Sequence, residues 1–412
     1  MKRLVAMAAA IVIAGCTGMA GMSGSGSGSS GFTPRLTEPR LAVVDPANLT
    51  EAQRDMLASR GNLNIYKTLA HHVDLYNRWS PLGQFILNGS SIQPRHREMA
   101  MLRMGWLCQS PYEWSQHARI AKTVGVTEAE LHRIAEGPAA AGWSDIDRAV
   151  LTMADELRYD TMISDKTWAD LRKTYSDNQV MELLFTSAQY QLVSMALNSL
   201  GIQIEPTAVD FIPTDLPKPK TAGRPTPPRL SAPRIQPIAV SAMTPEQRTV
   251  AAAQIRQDGS IFNLYGTLIN HPKLYAPRAR FGSYIQRDSM LDPETRELAI
   301  MRTAYNINAS YEWAHHVEYA KTAGLSDTQI ADIARGPSAS GWSEKQRAVL
   351  QAADELRREA FISDATWDTL AKHYDMKRRI EIIYTIGGYS MTGLAINSFG
   401  IQTEPGHPAM PK

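Results

Sequence analysis

The feature that most constrains this chain is an internal repeat. Asn64-Ile65-Tyr66-Lys67-Thr68-Leu69 returns as Asn263-Leu264-Tyr265-Gly266-Thr267-Leu268, and Arg97-Glu98-Met99-Ala100 returns as Arg296-Glu297-Leu298-Ala299. Tyr112-Glu113-Trp114-Ser115-Gln116-His117 returns as Tyr311-Glu312-Trp313-Ala314-His315-His316. Gly142-Trp143-Ser144, Asp155-Glu156-Leu157 and Asn198-Ser199-Leu200-Gly201 recur as Gly341-Trp342-Ser343, Asp354-Glu355-Leu356 and Asn397-Ser398-Phe399-Gly400. Each pair is 199 residues apart, as His117 and His316 are. A gapless register over this length is duplication of a whole domain, not a short solenoid unit. Both copies must therefore reach the same fold, and 412 residues leave room for two cores.

The repeat sets expected domains at 41–206 and 240–405. Between them, 207–239 carries Pro213, Pro217, Pro219, Pro225, Pro227, Pro228 and Pro233. So many prolines exclude a helix interior and predict a semi-rigid extended linker. At the other end, Lys2 and Arg3 precede an apolar run from Leu4 to Ile13, then Ala14-Gly15-Cys16. That order resembles the lipobox of bacterial lipoproteins, with a signal peptide over 1–15 and lipid attachment at Cys16. Residues 16–40, with Met19 to Gly31 almost entirely Gly, Ser and Met, read as a flexible tether. By resemblance to the lipoprotein sorting rule, Thr17 in place of Asp implies the periplasmic face of the outer membrane. The chain is thus expected in the bacterial cell envelope, held on the membrane only through its lipid anchor. No later apolar run approaches the ~18 residues that a membrane-spanning helix needs.

Within each copy the periodicity is helical. Met99, Leu102, Met104 and Leu107 recur at three- and four-residue intervals between Arg95 and Leu107, which suits a buried helix. Thr127 with Glu130 is a capping box, and Gly137-Pro138 a stop. Val180 to Leu200 is a long, mostly apolar helix ended by Gly201. Strand alternation is scarce, so the predicted fold class is all-α, a helical bundle repeated twice. Lys and Arg number 43 against 41 Asp and Glu, a net charge of +2, which argues against nucleic acid as a partner.

Three groups per copy could carry chemistry. Glu113 and His117, like Glu312 and His316, are four residues apart and share a helix face. A carboxylate beside an imidazole makes a general acid/base, and the same spacing also serves as a helix-stabilising pair. Glu98 and Glu297 stand in otherwise apolar helices and need partners, for which Arg103 and Arg302 are candidates, either as a structural ion pair or at a site. A carboxyl held in such a wall is expected to have a raised pKa, which suits an acid. Together with the Glu-x-x-x-His face these glutamates also resemble a metal-ligand set, but one His per copy is thin for zinc or iron. Tyr190, Tyr389, Trp114 and Trp313 read as packing, whereas Asn198 and Asn397 either cap buried backbone or line a pocket. Cys108 has no partner cysteine once Cys16 is assigned to lipid.

The block Pro94-Arg95-x-Arg97-Glu98, Cys108-x-x-Pro111-Tyr112-Glu113-Trp114-x-x-His117 and Gly137-Pro138 resembles the carboxymuconolactone decarboxylase family of the AhpD-like superfamily. The second copy repeats it at Arg296-Glu297, Tyr311-Glu312-Trp313, His316 and Gly336-Pro337. The resemblance implies tandem AhpD-like bundles. In the superfamily's peroxidase branch a Cys-x-x-Cys pair precedes the histidine. The matching positions here are Ser110 and Glu113, and Ala309 and Glu312, so thiol peroxidase chemistry is lost. What remains resembles the decarboxylase branch. It implies a lyase without cofactor or metal, acting on a small carboxylate or lactone through Glu98, Glu113 and His117 and through Glu297, Glu312 and His316. A non-catalytic small-ligand module is the alternative. Relatives of this fold form homo-oligomers, and the tandem pair is expected to imitate such a dimer within one chain.

If Cys16 bears the lipid, Cys16→Ala should leave the protein unprocessed or release it from membranes. Partition of that variant with membranes through a high-salt wash would contradict the lipid anchor.

Overall fold

The structure is a computed structural model describing residues 35–226 and 229–411. The expected signal peptide, Cys16 and most of the expected tether lie outside the described residues. The first half contains α1 (Glu51–Ala58), α2 (Asn64–Leu69), α3 (Val73–Gln84), α4 (Pro94–Leu107), α5 (Pro111–Thr123), α6 (Glu128–Glu136), α7 (Asp145–Tyr159), α8 (Asp165–Arg172) and α9 (Asp177–Leu200). The second contains α10 (Pro245–Ala251), α11 (Asn263–Leu268), α12 (Pro272–Ser283), α13 (Pro293–Asn306), α14 (Ser310–Thr322), α15 (Asp327–Arg335), α16 (Glu344–Glu359), α17 (Asp364–His373) and α18 (Met376–Phe399). No strand occurs among the described residues, so the fold is all-α. No helix among them is long and apolar enough to cross a membrane.

The local signals act where expected. Thr127 accepts from the Glu130 amide while the Glu130 side chain accepts from Thr127, closing the capping box that starts α6. Gly201 and Gly400 end α9 and α18 in the left-handed conformation, at φ 67° and 69°, which costs glycine nothing. α4 is buried nearly all round and packs on α5, α7 and α9, as α13 packs on α14, α16 and α18. α9 and α18 are also buried along their lengths, because they pack on each other across the boundary between the halves. An apolar surface of this kind, without a polar face, is what a helix needs to lie between two cores.

Contacts across that boundary are reciprocal. Glu182 on α9 accepts from His271 Nε2 of the second half at 2.7 Å and from Ser90 and Ser91 of its own half. Glu381 on α18 accepts from His72 Nε2 of the first half at 3.1 Å and from Ser289 and the Met290 amide of its own. Arg158 and Arg357 each donate to the other's backbone carbonyl. Asn198 donates to the carbonyls of Cys108 and Ala360, and Asn397 to those of Ile307 and Thr161, so both asparagines cap buried backbone.

Two readings of the sequence need correction. The repeat reaches further back than 41 and 240, in a second register that the constant 199 offset hides. Arg40 donates to the carbonyls of Ser199 and Ile362, and Arg234 to those of Ser398 and Ile163. These arginines are 194 residues apart, because the stretch from the start of α10 to the start of α11 is five residues longer than its counterpart. The last residues assigned to the tether, and the last part of 207–239, are thus docked arms. The linker is also not a free spacer, since Arg224 and Arg229 donate to the carbonyls of Tyr305 and Asn308.

Burial pushes the Glu182 and Glu381 carboxyls up, but their histidine, hydroxyl and amide donors outweigh it and hold both below the ordinary 4.5. A depressed folded-state value adds stability that is complete above 4.5 and is lost as the pH falls through that value. Glu182→Ala or Glu381→Ala should destabilise the protein by about 3–5 kcal/mol at pH 7, since each strands a buried histidine and its neighbours. The deficit should shrink below pH 4.5, as read by urea unfolding.

Candidate proton-transfer sites

The site begins with Glu98, which has no exposed surface on α4. The turn after α4 places Gln109 in the left-handed region at φ 49°, as Asn308 is at φ 54° in the second half. This sharp reversal brings α5 back along α4 and sets His117 opposite Glu98. His117 Nδ1 lies 2.7 Å from Glu98 Oε2, and Arg97 Nε donates to Glu98 Oε1 at 3.1 Å. In the second half His316 Nδ1 lies 2.7 Å from Glu297 Oε2, and Arg296 Nε donates to Oε1 at 3.2 Å. Burial pushes the Glu98 carboxyl up, but His117 and Arg97 outweigh it and hold it below the ordinary value. An ionised carboxylate only accepts, so the Nδ1 facing it carries the proton and Nε2 is left as the basic nitrogen. The expectation that an apolar wall raises the Glu98 pKa is therefore corrected: the wall contains two nitrogen donors, one of them a guanidinium.

The predicted partnership of Glu113 with His117 does not form. His117 faces α4, whereas Glu113 faces α9, where its Oε2 accepts from Ser194 Oγ at 2.7 Å and its Oε1 has no partner. In the second half neither Glu312 oxygen has a partner. Burial holds both carboxyls well above the ordinary value, with Ser194 pulling Glu113 back only slightly and the Arg278 charge doing so for Glu312. The raised acid is thus Glu113 or Glu312, not Glu98. Nor are Arg103 and Arg302 partners of Glu98 and Glu297. Arg103 Nε pairs with Asp155 at 2.6 Å and its Nη1 donates to the carbonyls of Ile134 and Ala135, tying α4 to α6 and α7. Its guanidinium lies against Gly137, where a Cβ would come within 2.6 Å of it. Arg302 repeats these contacts with Asp354 and Gly336.

The histidine and the raised acid of each half line one cavity. In the first half it measures about 170 Å³, with Tyr66, Trp79, Gln189 and Tyr190 in its wall. In the second it measures about 500 Å³, with Tyr265, Arg278, Phe281, Gly388 and Tyr389. Tyr190 and Tyr389 stand edge-on to the histidine rings at 4.6 and 5.0 Å, so they belong to the sites and not only to packing. Sequence reasoning also missed Arg278 and Ser194. The signal was available as a mismatch between copies, since Arg278 stands where the first copy has Trp79, and Gly393 where it has Ser194. Cys108 is buried beneath this site, and burial pushes its thiol up to about 11. Among the described residues, three possible metal ligands converge at one place, His315, Glu404 and His407 of the second half, and His315 lines the cavity there.

Each half is therefore an all-helical domain with a buried Glu–His pair and a neutral carboxyl on one cavity. Residues 74–156 and 272–355 each match the carboxymuconolactone decarboxylase family, so the chain carries two tandem domains of that family. Among solved structures, a crystal structure described as the alkylhydroperoxidase AhpD core of an uncharacterized peroxidase-related protein from Ralstonia eutropha JMP134 is 18% identical. The match covers 41% of this chain and 93% of that one, with a TM-score of 0.37. No curated protein matches the chain.

Glu113 and Glu312 make the fold less stable as pH rises. Each stays protonated in the folded state, while the unfolded chain releases its proton above 4.5. Glu113→Gln and Glu312→Gln remove that penalty. Each variant should gain on the parent between pH 5 and pH 8, by at most ~1.4 kcal/mol per pH unit, in urea unfolding. A gap that does not change with pH would mean that the carboxyl is ionised in the fold.

Proposed function

We propose that the protein is a lyase of the decarboxylase type, acting on a small carboxylate or lactone by acid–base catalysis that uses its own side chains. The observation that carries this reading is the pairing of His316 Nδ1 with Glu297, which leaves Nε2 as a base on a cavity that also holds the protonated Glu312. Nε2 takes the proton of the ionising substrate carboxyl, the C–C bond to that carboxyl breaks and CO2 leaves, and the Glu312 carboxyl protonates the carbon or conjugated oxygen that receives the electron pair; proton return from His316 to Glu312 resets the site. The ionised partner stabilises the imidazolium as it forms. His117, Glu98 and Glu113 hold the same arrangement in the first half. A peroxidase reading has no support in the residues, because Ser110 and Ala309 stand at thiol positions and Cys108 is buried without a second sulfhydryl. The small first cavity, with Glu113 bound to Ser194, favours a non-catalytic role for that half. The two halves would then work as a dimer within one chain. We further propose that Cys16 anchors the protein by lipid at the periplasmic face of the outer membrane.

The test is a screen of the protein lacking residues 1–34 against aromatic-catabolite carboxylates and lactones, followed by substitution. A general acid/base contributes about 10²–10⁴-fold, so His117→Ala with His316→Ala should lower turnover by that factor. Full activity in the folded double variant would overturn the mechanism.

A further inference from the structure

The two halves repeat one fold, but their cavities differ in a coordinated way. Arg278 on α12 is only 8% exposed and lines the second cavity. Its Nη2 donates to Thr392 Oγ1 at 2.6 Å, and no carboxylate among the described residues lies within ion-pair distance of it. A guanidinium taken out of water without an anion is strongly disfavoured, and it has four more N–H donors to satisfy. The adjacent Glu312 is protonated, so it supplies no charge. The first half has Trp79 at this place and Val193 in place of Thr392, so both the cation and the hydroxyl that orients it are missing there.

Three further exchanges set the second site apart. Gln189, whose amide has no partner in the first half, is replaced by Gly388. A Cβ on Gly388 would come within 2.8 Å of Ile285 and 3.0 Å of Phe281, so these side chains lie directly over the glycine. Cys108 and Ser194 are replaced together by Ile307 and Gly393, and a Cβ on Gly393 would collide with Ile307. The larger Ile307 occupies the place of the serine, and Glu312 thereby loses the hydroxyl that holds Glu113. The second half thus combines an unpaired cation, an unpartnered acid and roughly threefold more space, walled by Phe281, Tyr265 and Tyr389.

We propose that the second half alone binds substrate, that the substrate is an organic carboxylate with a flat apolar body, and that Arg278 is the residue that reads its carboxylate. This deepens the acid–base reading and rests on it for the chemistry, but binding itself requires no turnover. The Arg278 guanidinium takes the carboxylate in a two-point contact, the aromatic wall covers the apolar body, and Glu312 and His316 face the same molecule.

Benzoate and benzamide, which differ in charge but hardly in shape, serve as probes in calorimetric titration of the protein lacking residues 1–34. The expected result is one benzoate per chain, with benzamide at least tenfold weaker. Arg278→Met, which removes a buried charge while keeping its bulk, should weaken benzoate at least tenfold and leave benzamide unchanged. Arg278→Lys should recover part of the loss, which shows that charge is being read and not packing. His316→Ala should keep benzoate binding whatever it does to turnover, so failure of the acid–base mechanism and failure of this proposal are distinguishable. Two equal sites per chain, undiminished benzoate binding in Arg278→Met, or no benzoate binding by the folded parent protein would overturn it.

Discussion

A carboxylate with no exposed surface lies on a largely buried helix of each half, α4 or α13, and much of the structure follows from accommodating it. Charge at Glu98 or Glu297 is tolerated only where donors surround it. One donor is its neighbour Arg97 or Arg296, and the other is a histidine nineteen residues on, which α5 or α14 must bring back across the helix. That requirement accounts for the left-handed residue at the turn and for the close packing of α4 on α5. It also orients the imidazole, because Nδ1 is committed to the carboxylate and Nε2 is what remains for chemistry. The structural need and the arrangement proposed for catalysis are met by the same hydrogen bond.

The second carboxyl on α5 and α14 obeys the opposite rule. Glu113 and Glu312 are given no cation close enough to pair with, so each keeps its proton. Glu98 and Glu113, fifteen residues apart, are thus pushed in opposite directions because one meets guanidinium and imidazole and the other meets hydrocarbon and, at most, a hydroxyl. This is the division between acid and base that proton-transfer sites depend on. Duplication allowed the halves to diverge around it. Cys108 with Ser194 and Ile307 with Gly393 are volume-compensating pairs, and the exchange changes which partner the acid has while leaving the backbone path of both bundles alike.

Much of this was legible in the sequence. The repeat, the helix caps, the long helices ending at Gly201 and Gly400 and the six candidate residues were all readable, because periodicity, capping chemistry and a recurring motif are local properties. What could not be read was direction. Glu113 and His117 share a helix face by spacing, but α4 and α9 compete for them, and only packing shows that His117 turns to one and Glu113 to the other. Spacing offers Arg103 as the partner of Glu98, but Asp155, fifty-two residues away, takes Arg103, and the adjacent Arg97 pairs with Glu98 instead. The arms holding Arg40 and Arg234 were missed because their register differs by five residues from that of the rest. Arg278 was passed over because attention went to what the copies share, whereas the differences between them mark the larger cavity.

The proposed mechanism requires the histidine of each site to be a base held in one tautomer by a buried carboxylate. Nitrogen-15 NMR of the histidine side chains measures this directly. The account predicts that the neutral rings of His117 and His316 carry hydrogen on Nδ1 and a free lone pair on Nε2, and that Glu98→Gln and Glu297→Gln disturb this preference. Neutral rings protonated on Nε2, or a tautomer mixture indifferent to those substitutions, would contradict it.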